Sequence, residues 1–205
     1  MKAGFVVMAD QEGSRRHGDR VPAALARLHR TTPARLAFER TAGDELQGLV
    51  DSPRAVVDAV VALTREGGWR VGLGIGDVEE PLPDSTRAAR GTAYLAAREA
   101  LAAARSSATA LALRTVGTDD YRADEVADAE AALRLVRAVL ARRTGEGWQI
   151  VDLYDEGLTG AQAARRLGIS PSAVSQRLRR AAHDEVGAGE RLARRLLARA
   201  AGATP

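Results

Sequence analysis

Apolar and polar positions follow two rhythms along this chain, and the rhythm changes near position 120. The run "AGFVVMA" (Ala3–Ala9) is continuously apolar and ends in the turn-like "DQEGS", the pattern of a buried strand. "RVPAALARLHR" then places Val21, Leu25 and Leu28 at helical spacing. "ARLAFERT" alternates Leu36, Phe38 and Arg40 against Ala37 and Glu39, meets Gly43-Asp44, and gives way to "ELQGLV". Two strand-like runs around a Gly-containing turn predict a hairpin. "SPRAVVDAVVALTREGG" starts with a serine cap and a proline at the first helical position, and stops at Gly67-Gly68. "WRVGLGIGDV" reads as a strand, a helix is expected from about Thr86, and "ATALALRTV" reads as a further strand. The order strand, helix, hairpin, helix, strand, helix, strand predicts an α+β fold. The expected form is a ferredoxin-like sheet with helices on one face.

From about Ala123 the pattern is helical throughout. Ala123–Arg143 is a long amphipathic stretch ended by "TGEG". "WQIVDLYDEG", "TGAQAARRLG", "SPSAVSQRLRRAAHDEV" and "GERLARRLLARAAG" follow as shorter helices, and the closing "AGATP" is expected to fray. The expected division is an α+β domain over 1–118, a connecting helix over 119–143 and an all-α helix-turn-helix domain over 144–205.

The stretch Gly157–Ala181 carries the most specific signal. Thr159 can cap a short helix whose apolar face is Ala163, Ala164 and Leu167. Gly168 can take positive φ at the turn, Ile169 plugs the angle, and Ser170-Pro171 restarts a helix. Val174 and Leu178 then point inward, which leaves Ser172, Ser175, Gln176 and Arg179 outside. Two helices joined by a tight glycine turn, the second free to enter a major groove, make a helix-turn-helix. "AARRLGIS..AVSQRLRRA" resembles the winged-helix, LuxR-like and sigma-region-4-like families. The resemblance implies base contacts from Ser172, Ser175, Gln176 and Arg179, since Gln reads adenine and Arg reads guanine. Arg165, Arg166, Arg177 and Arg180 are candidates for phosphates. Double-stranded DNA is the expected partner. The bland alternative is a helical hairpin used for packing or dimerisation. Leu192, Leu196 and Leu197 form a stripe that suits either a homodimer or packing onto the chain itself.

Charge supports the DNA reading. The chain has 205 residues and a formal net charge of +3, with Lys2 its one lysine. From Arg142 onward 11 arginines face 7 acids, while the rest of the chain has 19 basic and 20 acidic residues. The positive balance therefore lies where the helix-turn-helix lies. Cysteine is absent, which excludes disulfides and thiolate metal sites. The three histidines, His17, His29 and His183, have no ligand spacing. "MKAGFVVMAD" is too short for a signal sequence, and no run approaches the roughly 18 apolar residues of a membrane span. A soluble cytoplasmic protein with no membrane partner is expected.

The first half poses a second question. Asp10 ends the first strand and Asp44 sits in the hairpin turn, so a shared sheet would bring both to one end. Two carboxylates there could hold Mg²⁺ or Mn²⁺ against nucleotide phosphates, and the turn after Asp10, containing Ser14, could offer backbone N–H groups to an anion. "VVMADQEGSRR", "RTAGDELQGLV", "WRVGLGIGDV" and "GTAYLAAREAL" are similar, in order and spacing, to SatD-family proteins. They also resemble a diverged nucleotidyl-cyclase palm of the class III cyclase and GGDEF kind, over roughly Met1–Ala104. The resemblance implies two metal-holding aspartates at Asp10 and Asp44, with Glu45 as the second acid of the GGDEF signature. It implies a base-reading position at Arg40, where class III cyclases have lysine, and a transition-state arginine at Arg98. Tyr94 stands where those enzymes have asparagine, Ala42 where the signature has its first glycine, and Leu46 where it has phenylalanine. Losing a donor aimed at developing charge typically costs a hundredfold or more. The expectation is therefore a DNA-binding regulator with a degenerate nucleotide-binding or dimerisation domain, the alternative being a metal-dependent nucleotidyl cyclase or transferase with a DNA-binding appendage. "VGLGIGD" (Val71–Asp77) is not a dinucleotide loop, because Glu79, Glu80, Pro81 and Pro83 follow where a helix must open. Its glycines are expected to permit close packing or a bulge.

Overall fold

The computed structural model describes residues 2–116 and 120–202, so the expected boundary at 118/119 and the frayed end at 203–205 lie outside the described residues. The first half runs β1 (Lys2–Gln11), α1 (Ser14–His17), α2 (Val21–Thr31), β2 (Leu36–Arg40), β3 (Glu45–Val50), α3 (Pro53–Glu66), β4 (Trp69–Val78), α4 (Thr92–Ala104) and β5 (Leu111–Thr115). Among the described residues these strands form one five-stranded sheet in the order β2-β3-β1-β4-β5. The central strand β1 is antiparallel to both β3 and β4, β2 is antiparallel to β3, and β5 is parallel to β4. Strands β1 to β4 thus have the order and directions of a split βαββαβ sheet, with β5 added at one edge.

Strand alternation divides the apolar residues between two faces. Phe5, Val7 and Ala9 of β1 join Trp69, Val71, Leu73 and Ile75 of β4 in a core covered by α2 and α3. Val6 and Met8 point the other way, into a cluster with Ala93, Tyr94, Ala97 and Leu101 of α4. The helices therefore lie on both faces, not on one. The glycines of β4 explain the second face. A Cβ on Gly74 would lie 2.1 Å from the Ala93 carbonyl oxygen, and one on Gly72 would lie 2.3 Å from the Leu101 nitrogen. The α4 backbone rests directly on the strand, so "VGLGIGD" is a packing surface rather than a phosphate loop.

Helix α4 begins at Thr92, not near Thr86. Gly91 takes φ 139 there, and a Cβ on it would lie 2.2 Å from the Asp77 carbonyl oxygen. The preceding segment is a strap tied to the hairpin by side chains. Glu39 accepts hydrogen bonds from Ser85 Oγ (2.5 Å) and the Arg87 amide (2.8 Å), and Gln47 Nε2 donates to the Thr86 carbonyl (2.7 Å).

The second half is α5 (Asp120–Leu140), α6 (Gly145–Asp155), α7 (Gly160–Leu167), α8 (Pro171–Arg180) and α9 (His183–Ala200). Helix α5 closes the sheet edge with side chains. Glu130 accepts from the Leu113 amide (2.6 Å), and Arg134 Nε donates to the Leu111 carbonyl (2.9 Å), so part of the free edge of β5 is satisfied without another strand. Helix α9 returns to the first half, and Ala193, Leu197 and Ala200 join the same core as the sheet. The leucine stripe is accordingly internal for the most part: Leu197 is fully buried, Leu196 packs against the core, and Leu192 alone of the three is 44% exposed.

The break before α9 also differs from expectation. It falls at Ala182, which takes φ 49, and the helix runs on through Gly187 and Gly189. Gly189 is a contact residue, since a Cβ there would lie 2.8 Å from Val136 Cγ2 of α5.

Candidate functional site

Helices α6, α7 and α8 enclose their own small core of Ile150, Val151, Leu153, Ala163, Ala164, Val174 and Ala181, bordered by Leu167, Ile169 and Leu178. Local chemistry fixes each boundary. Thr159 Oγ1 accepts from the Gln162 amide (3.3 Å) while Gln162 Oε1 accepts from the Thr159 amide (2.7 Å), a reciprocal capping box at the start of α7. Gly168 takes φ 66, and the Ile169 amide reaches back to the Ala164 carbonyl (3.1 Å), which ends α7 in a tight turn. Ser170 Oγ accepts from the Ala173 amide (3.1 Å), with Pro171 at the first helical position, and α8 begins.

That geometry leaves Ser172, Ser175, Gln176 and Arg179 exposed, spaced to share one face of α8. Arg165 and Arg166 at the end of α7 and Arg180 at the end of α8 are also exposed. Arg177 differs: it is half-buried, and its guanidinium lies 3.4 Å from Glu146 of α6. It joins two helices of the unit, a role its sequence position does not reveal.

A junction ties this unit to the sheet half, and none of its residues stood out in the sequence. Arg65 of α3 makes paired bonds of 2.5 and 2.6 Å to Asp152 of α6. Trp148 carries a guanidinium 4.8 Å from its ring centre, that of Arg65, and another at 4.6 Å, that of Arg143. Arg143 also donates to the Ala181 carbonyl (2.8 Å), at the end of α8. The Asp152 carboxylate holds the Arg65 guanidinium above its ordinary pKa, while burial pulls Arg143 down.

At the sheet end, Asp10 and the hairpin turn do meet. Asp10 pairs in register with Glu45, and the Gln11 amide donates to the Asp44 carbonyl (3.2 Å). The Asp10 carboxylate is not free, however: Arg70, its partner on β4, lies 3.2 Å away and also reaches Glu12 at 3.1 Å. Arg40 is likewise engaged, with bonds of 2.7 and 2.5 Å to the Asp19 carboxylate and one of 3.1 Å to the Gly43 carbonyl. Those bonds hold the Asp19 carboxyl below its usual range. Ser14 opens the one-turn helix α1. Among the described residues no group of three or more His, Asp or Glu side chains is placed to hold a metal ion. A divalent cation at Asp10 and Asp44 would have to displace Arg70 and take its remaining oxygens from water or phosphate.

Arg98 is exposed on α4 and lines a cleft of about 450 Å³ with Met8, Gln47, Arg87, Arg90 and Thr92. Tyr94 is tied inward instead. Its hydroxyl lies 3.3 Å from Thr86 Oγ1, and burial raises its pKa.

A family profile for the Homeodomain-like domain matches residues 148–187, which take in α7, α8 and most of α6. No curated protein and no solved structure matches the chain. The chain is a mixed α+β protein with a five-stranded sheet and a C-terminal helical region that carries a helix-turn-helix, a class of unit that binds DNA. Among the described residues no helix is long and apolar enough to cross a membrane.

Proposed function

We propose that the protein is a DNA-binding transcriptional regulator that places α8 in the major groove. The observation that carries this reading is the exposed face of Ser172, Ser175, Gln176 and Arg179, flanked by Arg165, Arg166 and Arg180, on a helix whose opposite face is packed. Gln176 and Arg179 read base edges, and the flanking arginines hold phosphates. The residues from 144 onward form the DNA-reading part, the connecting stretch 119–143, which contains α5, joins it to the sheet, and residues 1–118 form a nucleotide-sensing or pairing part similar to SatD-family proteins and cyclase palms. The cleft beside Arg98, with Arg87 and Arg90 on its wall, supports a nucleotide effector whose phosphates, with Mg²⁺ or Mn²⁺, extend toward Asp10, Asp44, Ser14 and Arg40. Because Arg70 engages Asp10 and Tyr94 is tied to Thr86, sensing is favoured over turnover. Pairing of two copies would match a two-fold operator.

The test is titration of duplex DNA with the full chain over a range of salt. Each phosphate contact contributes about 0.9 to the fall of log K with log salt, so the three exposed arginines Arg165, Arg166 and Arg180 give a slope of about −3. Binding that ignores salt, or no binding at low salt, contradicts the DNA reading. Nucleoside triphosphate with Mn²⁺ raises the melting temperature, and Asp44→Asn reduces the rise. No rise in the wild type removes the effector.

A further inference from the structure

Arg137 is a charged side chain that neither the DNA face nor the sheet-end carboxylates use. It lies on α5, only 7% exposed. Its Nη1 donates to the Ala110 carbonyl (2.7 Å), and its Nη2 donates to the Trp69 carbonyl. Both partners are dipoles, not charges. Among the described residues no carboxylate forms an ion pair with Arg137, in contrast to Arg27, Arg35, Arg40, Arg65 and Arg70, each of which has at least one. Burial lowers its pKa to about 10, so the guanidinium stays protonated at neutral pH. The Glu12 carboxylate acts on it without pairing and offsets only part of the cost of burial, so an anion placed against the guanidinium lowers the remaining penalty.

Arg137 also lines a cavity of about 470 Å³, within the size range of small-ligand sites. The walls come from the last turn of α3 and the glycines after it (Thr64, Gly67 and Gly68), the loop before β5 (Thr109) and the turn after α5 (Arg142). No acid is among its lining residues, and Arg142 is exposed at its edge. A cavity lined by two arginines and no carboxylate selects for negative charge, and phosphate oxygens suit the N–H groups that Arg137 does not spend on the Ala110 and Trp69 carbonyls together with the exposed Arg142.

We propose that this cavity binds a small phosphate-bearing molecule, with Arg137 as the buried counter-charge and Arg142 closing on the phosphate from the edge. The site is separate from the DNA face and from the Arg98 cleft. It adjoins the junction, because the next residue, Arg143, stacks on Trp148 and holds the Ala181 carbonyl.

The experiment is thermal melting of the full chain in inorganic phosphate against chloride at matched ionic strength, with acetate as a second anion. Phosphate is expected to raise the melting temperature saturably by about a few degrees, as a ligand specific to the folded state does. Arg137→Gln abolishes the rise and Arg142→Glu reverses or removes it, while Arg165→Ala with Arg166→Ala leaves it intact. If Arg137→Gln does not fold, Arg142→Glu decides. The proposal is overturned by no rise beyond chloride, by an equal rise in acetate, by a rise that survives Arg142→Glu, or by one lost with Arg165 and Arg166.

Discussion

Arg179→Ala is expected to weaken binding to a selected duplex about tenfold to a hundredfold while weakening binding to random duplex much less. A bidentate side chain on a base edge contributes about 1–3 kcal/mol of discrimination, which is that range of affinity. Arg179 is exposed on the face of α8 shared by Ser172, Ser175 and Gln176, and it forms no ion pair among the described residues. Gln176→Ala is expected to act the same way at a different base. Arg180→Ala or Arg165→Ala instead lowers affinity for both duplexes alike and reduces the salt slope by about 1. Fluorescence anisotropy with the two duplexes at one salt concentration separates the classes. Equal losses on both duplexes from Arg179→Ala would make it a phosphate contact.

Gly74→Val is expected to unfold the sheet half or to remove more than about 3 kcal/mol of stability, against a typical total of about 5–15. The new Cβ would sit 2.1 Å from the Ala93 carbonyl oxygen and 2.4 Å from the Ala97 nitrogen, and both are backbone atoms of α4. No rotamer change relieves that overlap, so the helix must move off β4 and expose the cluster of Val6, Met8, Ala97 and Leu101. Gly145→Ala is the control: a Cβ there meets nothing within 4 Å, and the change is expected to stay within about 0.5 kcal/mol. Denaturant melts of the two variants decide. Native stability in Gly74→Val would contradict the placement of α4.

These two substitutions mark how much was legible in the sequence. The helix-turn-helix was, because its signals are local: Thr159 with Gln162, Gly168, and Ser170 with Pro171 each fix a boundary within a few residues. The strand order was also within reach, since a hairpin between two helices leaves few arrangements. The second helical face was not. It is built on Gly72, Gly74 and Gly76, which carry no apolar side chain and so leave no periodic signal. The start of α9 was misplaced for a related reason. Gly187 and Gly189 look like stops but serve a close approach to α5, while the actual break, at Ala182, has no breaker residue. At the sheet end, Asp10 and the Asp44 turn could be brought together from the order of elements alone. The cross-strand pairing of Asp10 with Arg70 depends on the β1–β4 register, which no short motif encodes. The junction of Arg65, Trp148 and Asp152 spans 87 positions from end to end and is visible only in the folded chain.

The central claim is that α7 and α8 present the DNA-reading surface, and amide hydrogen exchange of the full chain with and without a selected duplex tests it most directly. The expected result is added protection over Gly160–Arg180, with the amides of β1, β3 and β4 unchanged. Protection confined to the sheet half, or none anywhere at saturating DNA, would contradict it.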